Sequence, residues 1–469
     1  MTKTIKHVIA TIALAILCTS PLAAEHWRFI VTSDSQGIDN GINLTIASEI
    51  AEQVVRHSVD FLLFPGDLVT GYTTLGPAGF QQELQAWSEA MWPVYNAGIP
   101  IYAGRGNHEL SDVWLYADSD PNDNYAIRWL EIFGNRFRPM QRLPDNGPAG
   151  EKFMTYAVTH KNALIIMLDQ YAGIAHYPIH RINQDWLDDR LSSNTKPHVF
   201  VTGHESAFRT YHTDCLDNFP KQRDAYWTSL QNAGVRACFS GHDHYYDHAL
   251  VDDGDGNPDN DIHQCITATC GGSSYYWYPP YSGNNSHYSI EQLYHAKIFG
   301  YMLVDIHDMN VNMTFFARDT SDTSIPGIYA PIHTWIYTTT AGPRILSPNS
   351  SESLIAGAAY AINWKTIEPA NIKRVALDYS LDNGQTWNPI TTTPNTGSCI
   401  WQTPYTYSTQ CIIRIADASN PQSYDTSDRT FTITQCATFP PGDINHDCTV
   451  NFLDFLTIAQ NWLTTADQP

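Results

Sequence analysis

The sequence predicts a layered α/β domain that gives way to a strand-rich region and then to a small loop–helix module. Three observations predict it. Ahead of Leu110, short apolar runs alternate with amphipathic stretches of helical spacing. Beyond a boundary at Ala341–Pro343, seven short strand-like runs are divided by Pro, Gly and Asn. From Pro440 onward, oxygen-bearing side chains at alternating positions precede an apolar stripe.

Each element follows from its own pattern. Trp27–Val31 and Phe61–Phe64 are short apolar runs that read as buried strands. Between them Ile42, Ile46, Ile50 and Val54 recur every fourth residue, the mark of a helix with one buried face. Phe80, Leu84, Trp87, Met91 and Tyr95 predict a second helix, stopped near Gly98, and Ile99–Ala103 returns to strand. Residues 111–150, rich in Asp, Asn, Pro and aromatics, read as an excursion over the strand ends. Tyr156–Val158, Ala163–Leu168, His198–Val201 and Val235–Phe239 read as further strands, with Gln184–Leu191 helical.

Five of these strands run into polar turns: SDSQ (Ser33–Gln36), GDLV (Gly66–Val69), GRGNHE (Gly104–Glu109), VTGHE (Val201–Glu205) and GHDH (Gly241–His244). Strands that each deliver Asp, Asn, Gln or His at one end describe a site built on the edge of a sheet. GDxV, GNHE and GHxH together resemble the calcineurin-like metallophosphoesterases, the superfamily that includes purple acid phosphatases, over residues 27–305. The resemblance implies a four-layer αββα sandwich, two packed sheets between helices.

It also implies a dinuclear centre. Hydrolysing a phosphate ester requires neutralising the phosphoryl oxygens, making a nucleophile from water and protonating the leaving group. Two metals about 3.5–4 Å apart do the first two. By correspondence, Asp67 would bridge the ions, Asp34 and His244 would bind one, and Asn107, His204 and His242 the other, with hydroxide between them attacking in line. His108, the non-ligand His of GNHE, would contact phosphate or protonate the leaving oxygen. Arg105 would either add a phosphate contact or form an outward-facing salt bridge.

Gln36 departs from the pattern, since most members place a His there. Purple acid phosphatases also lack that His, but supply a Tyr three residues after the bridging Asp. Here that position is Thr70, and the nearest tyrosine is Tyr72, so their Fe(III)–tyrosinate centre is not implied. The amide oxygen of Gln36 is a harder, weaker ligand than imidazole, which favours Mn²⁺, Fe or Ca²⁺ over Zn²⁺ at that position. Fe, Mn and Zn are the candidate ions of the centre. The implied activity is hydrolysis of phosphomonoesters. Phosphodiesters, cyclic nucleotides included, are the enzymatic alternative, and a degenerate surface-binding protein is the non-catalytic one.

Composition sets the bounds. The 469 residues suggest about three domains. The reading is 1–24 leader, 25–341 phosphoesterase domain, 342–435 β-sandwich and 436–469 terminal module. Lys3 and Lys6, the apolar Val8–Leu17 and the small residues Ala23-Ala24 before Glu25 read as a cleaved secretory signal, too short for a membrane anchor. No later segment has the apolar length of a span. A formal charge of −22 repels polyanions and excludes long nucleic acid as a partner. A small phosphorylated substrate can still bind through metal charge.

Losing Cys18 with the leader would leave an even set of cysteines, as an oxidising compartment favours. Cys399 with Cys411 and Cys436 with Cys448 are the expected disulfides. Cys215, Cys238, Cys265 and Cys270 would pair in one of three ways, a zinc site being the alternative.

Three further segments carry expectations. Asp252–Asp261, DDGDGNPDND, would hold Ca²⁺ or form a solvated hairpin loop. The aromatic Tyr275–Tyr281 would stack on a substrate or pack beneath a loop. The runs at Ile345, Tyr360–Trp364, Val375–Tyr379, Trp387–Ile390, Ser398–Trp401, Cys411–Ile415 and Phe431–Ile433 read as an immunoglobulin- or fibronectin-like β-sandwich acting as spacer or carbohydrate binder, with a turn at Asp382-Asn383-Gly384.

GDINHDCTVNFLDFLTIAQNWL resembles one dockerin repeat, a calcium loop and a helix. Asp443, Asn445, Asp447, Thr449, Asn451 and Asp454 fall at positions 1, 3, 5, 7, 9 and 12 of an EF-hand-type loop. Phe452, Phe455, Ala459 and Trp462 then mark an apolar helix face. Cys448 replaces the usual Gly, and one repeat stands where dockerins carry two. The module is either a structural calcium loop or a docking element for a cohesin-like or cell-surface partner.

Overall fold

The computed structural model describes residues 25–71, 75–110, 125–134, 142–171, 182–254, 258, 260–277, 281, 287–434, 441–444 and 450–461. The expected leader, Cys18, Cys436, Cys448, Asn445, Asp447, Thr449, Trp462 and most of the 111–150 excursion lie outside them.

Every strand expected before residue 245 is present, with ends moved by a residue or two. They are β1 (His26–Val31), β3 (Phe61–Pro65), β4 (Ile101–Gly104), β5 (Tyr156–His160), β6 (Ala163–Met167), β7 (His198–Thr202) and β8 (Ala237–Ser240), and a short β2 (Gln36–Asp39) that was not expected follows β1. The chain continues through β9 (Tyr246–Asp252), β10 (Ile262–Thr267), β11 (Ser289–Ala296), β12 (Gly300–His307), β13 (Asn310–Arg318) and β14 (Tyr329–Thr338). One sheet runs β14–β13–β12–β1–β3–β4 and the other β11–β9–β10–β8–β7–β6–β5. Their central strands pair in parallel, β1 with β3 with β4, and β6 with β7 with β8. Parallel strands are covered on both faces, which is why β3, β6, β7 and β8 are buried along their whole length.

The two sheets pack face to face. Phe29 of β1 meets Phe200 of β7 edge-on, with ring centroids 5.0 Å apart. The same core takes in Ile46, Ile50, Val54, Phe80, Leu84 and Trp87 from the first helices. A second core sets Leu187, Leu191, Trp227 and Leu230 of two later helices against Ile166, Val199 and Val201. The layers are helix, sheet, sheet, helix.

One helix expected to be continuous is broken. Gly76–Ala90 ends at Met91, and a separate turn spans Trp92–Asn96. Pro93 has no N–H to continue the ladder, and its ring clashes with the preceding turn. A helix over Pro220–Asn232 was not expected, because it buries Arg223, Tyr226, Trp227, Leu230 and Gln231 within a mostly polar sequence.

Nine strands follow from Gly342 to Thr434, forming a three-stranded and a six-stranded sheet around a core of Ile345, Trp364, Leu377, Ile413 and Phe431. The expected turn is there, with Asn383 and Gly384 both at positive φ (52° and 83°). This region is tied to the first domain. Arg344 Nη1 donates to the Ala233 carbonyl at 2.5 Å, and Lys365 Nζ to that of Leu191 at 2.7 Å. Burial, with help from the Arg344 charge, pushes Lys365 down to about 7.

The cysteine expectation needs correcting. All six described cysteines are free thiols, so Cys399 and Cys411 are not joined. Each turns to its own strand, Cys399 Sγ toward the Ile400 carbonyl and Cys411 Sγ toward that of Ser408. Cys238 and Cys265 lie on neighbouring strands but on opposite faces, one in the helix-covered core and one between the sheets. No described helix is long and apolar enough to cross a membrane.

Candidate metal centre

Parallel strands point their C-terminal ends the same way, so the turns after β1, β3, β4, β7 and β8 gather at one edge of the sandwich. The chain there is forced into unusual geometry. Asp34, Asp67 and His242 all have positive φ, at 63°, 50° and 72°. Left-handed backbone in non-glycine residues costs about 1–3 kcal/mol apiece and persists only where the surroundings impose it. Gly106 explains one constraint: a Cβ there would lie 2.1 Å from Asp67 Oδ1.

Glu109 holds the turns in place. Its buried carboxylate accepts the N–H groups of Asp67, Leu68, Val69 and Gly106 at 2.9, 2.8, 3.3 and 2.7 Å. The loops after β3 and β4 are thereby locked together. Asp34 is held likewise, accepting the His242 N–H at 3.0 Å and the Ser33 hydroxyl at 2.5 Å.

The expected ligands meet in two overlapping groups. Asp34, Asp67 and His244 form one, and Asp67, His204 and His242 the other; in each, the candidate ligand atoms lie within 4.8 Å of one another. Asp67 belongs to both, as a bridge must. His204 Nδ1 donates to the Pro65 carbonyl at 2.8 Å, leaving Nε2 3.3 Å from Asp67 Oδ2. His244 Nδ1 donates to the Ser273 carbonyl at 2.9 Å, leaving Nε2 3.4 Å from Asp34 Oδ1. Such partners fix the ring and tautomer of a metal-binding imidazole. Asn107 Oδ1 sits 3.1 Å from His204 Nε2.

Gln36 joins the cluster. Its amide nitrogen donates to Asp67, and its amide oxygen is buried with no hydrogen-bond partner. A buried oxygen left unpaired costs free energy that a cation would offset. The donor set of carboxylate, amide and imidazole suits Mn, Fe or Zn.

The electrostatics agree. Burial alone would raise Asp67, yet the His204 and His108 charges hold its carboxyl far below the usual range. Burial disfavours charge on His204, but the Asp67 carboxylate pushes it up to about 10. The pocket attracts positive charge, and metal ions would supply it by displacing ligand protons.

His108 stands apart from the ligands, as expected. Its Nδ1 donates to the Thr70 carbonyl at 2.5 Å, and Nε2 is 3.8 Å from Asp67. At 21% side-chain exposure it is the most open of the motif residues paired with Asp34 or Asp67. Arg105 corrects the expectation of an outward-facing salt bridge: it points inward, 3% exposed, and is paired with buried Asp169.

Several neighbours carry no signal in the sequence. Asp214 Oδ1 lies 3.4 Å from His242 Nε2. His212, bonded to Asp243 at 2.5 Å, packs its ring 4.3 Å from His242. Tyr275 stacks on His244 at 4.5 Å and on Tyr211 at 4.8 Å, so at least one of the expected aromatics lies beside the centre.

Residues 28–246 match the family model described as calcineurin-like phosphoesterase. That stretch, a little under half of the chain, is therefore similar to a calcineurin-like phosphoesterase domain and takes in every expected metal ligand. No curated protein matches it. Among solved structures, purple acid phosphatase PPD1 from yellow lupin (Lupinus luteus) seeds aligns with a TM-score of 0.48 and 14% identity. The alignment covers 67% of this chain and 54% of the lupin chain, so it spans about half of that protein's length.

The calcium expectations fare differently. Asp252, Asp253 and Asp261 do converge within 4.8 Å, but Asp253 is paired with Arg429 at 2.8 Å. In the terminal module, Asp454, in the first turn of a helix over Phe452–Asn461, accepts the N–H groups of Ile444 and Asn451, each at 2.7 Å.

Proposed function

We propose that the chain is a secreted, two-metal phosphoesterase that acts first on phosphomonoesters. The observation that carries the proposal is the sharing of Asp67 between two ligand groups. Asp34, Gln36 and His244 would hold one ion, and Asn107, His204 and His242 the other. Bound there, the metals would supply positive charge for the phosphoryl oxygens and a more acidic water. The chain's own residues do the rest. Glu109 fixes the two loops that present Asp67 and Asn107, and the Pro65 and Ser273 carbonyls aim the imidazoles. His108, anchored through Nδ1 and with Nε2 on the Asp67 side, would give a proton to the leaving oxygen. A monoester dianion matches two adjacent cations better than a diester monoanion does, which favours the monoesterase reading.

Secretion rests on the leader pattern of residues 2–24. The terminal module would bind Ca²⁺ through Asp443, Asn451 and Asp454 with their loop neighbours, and it offers a site for a cell-surface or cohesin-like partner. The test is turnover on an aryl phosphate and its diester counterpart, before and after chelation and metal return. Monoester activity that is lost and then restored supports the reading; faster diester turnover contradicts the substrate assignment.

A further inference from the structure

A cavity that shares no lining residue with the metal centre lies at the junction of the first domain with the strand-rich region. It measures about 520 Å³, within the range of about 300–1,000 Å³ usual for small-molecule sites, and domain junctions are where such sites concentrate. A second cavity of about 310 Å³ adjoins it, and Arg344, Tyr424 and Asp425 line both. Together they form a trough rather than a pit.

The lining decides what would fit. Ile412 is the only aliphatic side chain among the described residues of the larger cavity. An apolar ligand would leave the many amide, hydroxyl and charged groups there without partners. The charges balance, with Arg236 and Arg344 matched by Asp425 and Asp428, so the wall selects for neither anion nor cation. Gln231 is 5% exposed, and its amide nitrogen has no hydrogen-bond partner. Tyr424 is 57% exposed, an aromatic face at the divide between the two cavities. The trough is also rigidly built: Arg344 is packed so closely over Gly234 that a Cβ there would come within 1.7 Å of Nη1.

From this geometry we infer that the junction trough binds an uncharged, hydroxyl-rich ligand, a short carbohydrate segment. Sugars present C–H faces that pack on an aromatic ring and hydroxyls that both donate and accept, which is what Tyr424 and the surrounding amide, carboxylate and guanidinium groups would engage. The site would attach the phosphoesterase to a glycan without touching its chemistry.

The test is calorimetric titration of the full chain with cellotriose, mannotriose and N,N′,N″-triacetylchitotriose, and with inorganic sulfate as the charged probe. At least one trisaccharide should bind with Kd near 1 mM or tighter. Tyr424→Ala should weaken it by about tenfold, while Tyr424→Phe keeps the ring and the affinity. Gln231→Ala should also weaken it, and aryl phosphate turnover should be unchanged throughout. The inference is overturned if no trisaccharide binds, if binding survives Tyr424→Ala intact, or if sulfate alone binds.

Discussion

The metal centre and the terminal helix break the usual rule of burial in opposite directions. At the centre, Asp34, Asp67, His204, His242 and His244 are buried polar groups. In the helix Phe452–Asn461, Phe452 is 72% exposed, and Leu453 and Phe455 are exposed as well. Each arrangement is costly alone, the first through desolvation and the second through apolar contact with water. The difference lies in what holds the backbone. The catalytic turns are fixed by bonds between distant segments, as when Glu109 closes on Asp67 and His242 on Asp34. Among the described residues of the terminal module, Asp454 closes on near neighbours, Ile444 and Asn451, ten and three residues away. The catalytic edge should therefore keep its shape without metal, whereas the terminal module should depend on calcium for its order.

The sharpest way to separate ligand from non-ligand at the edge is His108→Ala. Turnover should fall by about 10²–10⁴ while bound metal is unchanged, because Nε2 faces the site and Nδ1 is spent on Thr70. Loss confined to metal content would make His108 a ligand. Asp214→Asn is next in size. If Asp214 orients His242 through Nε2, metal affinity should fall by about 10–100-fold with kcat restored at saturating metal. Unchanged affinity would leave Asp214 without that role. Smallest of all is deletion of residues 436–469. Turnover on an aryl phosphate should stay within about twofold, since every proposed metal ligand precedes Tyr245 and Ser273 and Tyr275 also lie outside the deleted segment. In the intact chain, calcium should raise protection of the terminal helix in hydrogen exchange and leave β3 and β7 untouched. A folded deletion variant that loses activity would join the two regions functionally and undo the contrast.

The same contrast explains what could be read in the sequence. Asp34, Asp67, Asn107, His108, His204, His242 and His244 were legible because each sits in a short contiguous motif directly after a strand. Gln36 was legible as a departure, though its double relation to Asp67 and the cluster needed the fold. Glu109 was visible within GNHE, but its four amide bonds come from loop geometry that no spacing encodes. Asp214 and His212 lie in no motif and reach the centre only through tertiary packing. Arg105 was misread because a buried cation needs a specific partner, and Asp169 is 64 residues away. The positive φ at Asp34, Asp67 and His242 had only a weak local signal, since Asp and His are among the non-glycine residues that adopt it most often but do so in few of their occurrences.

The central claim is that one carboxylate, Asp67, serves two ions at once. Counting metal per chain by elemental analysis, in the native protein and in Asp67→Asn, tests it most directly. Two ions per metal centre in the native protein should fall to one or none in the variant, with turnover collapsing, because a neutral amide cannot balance two adjacent cations. Two ions retained in Asp67→Asn, with turnover intact, would contradict the bridge and the account built on it.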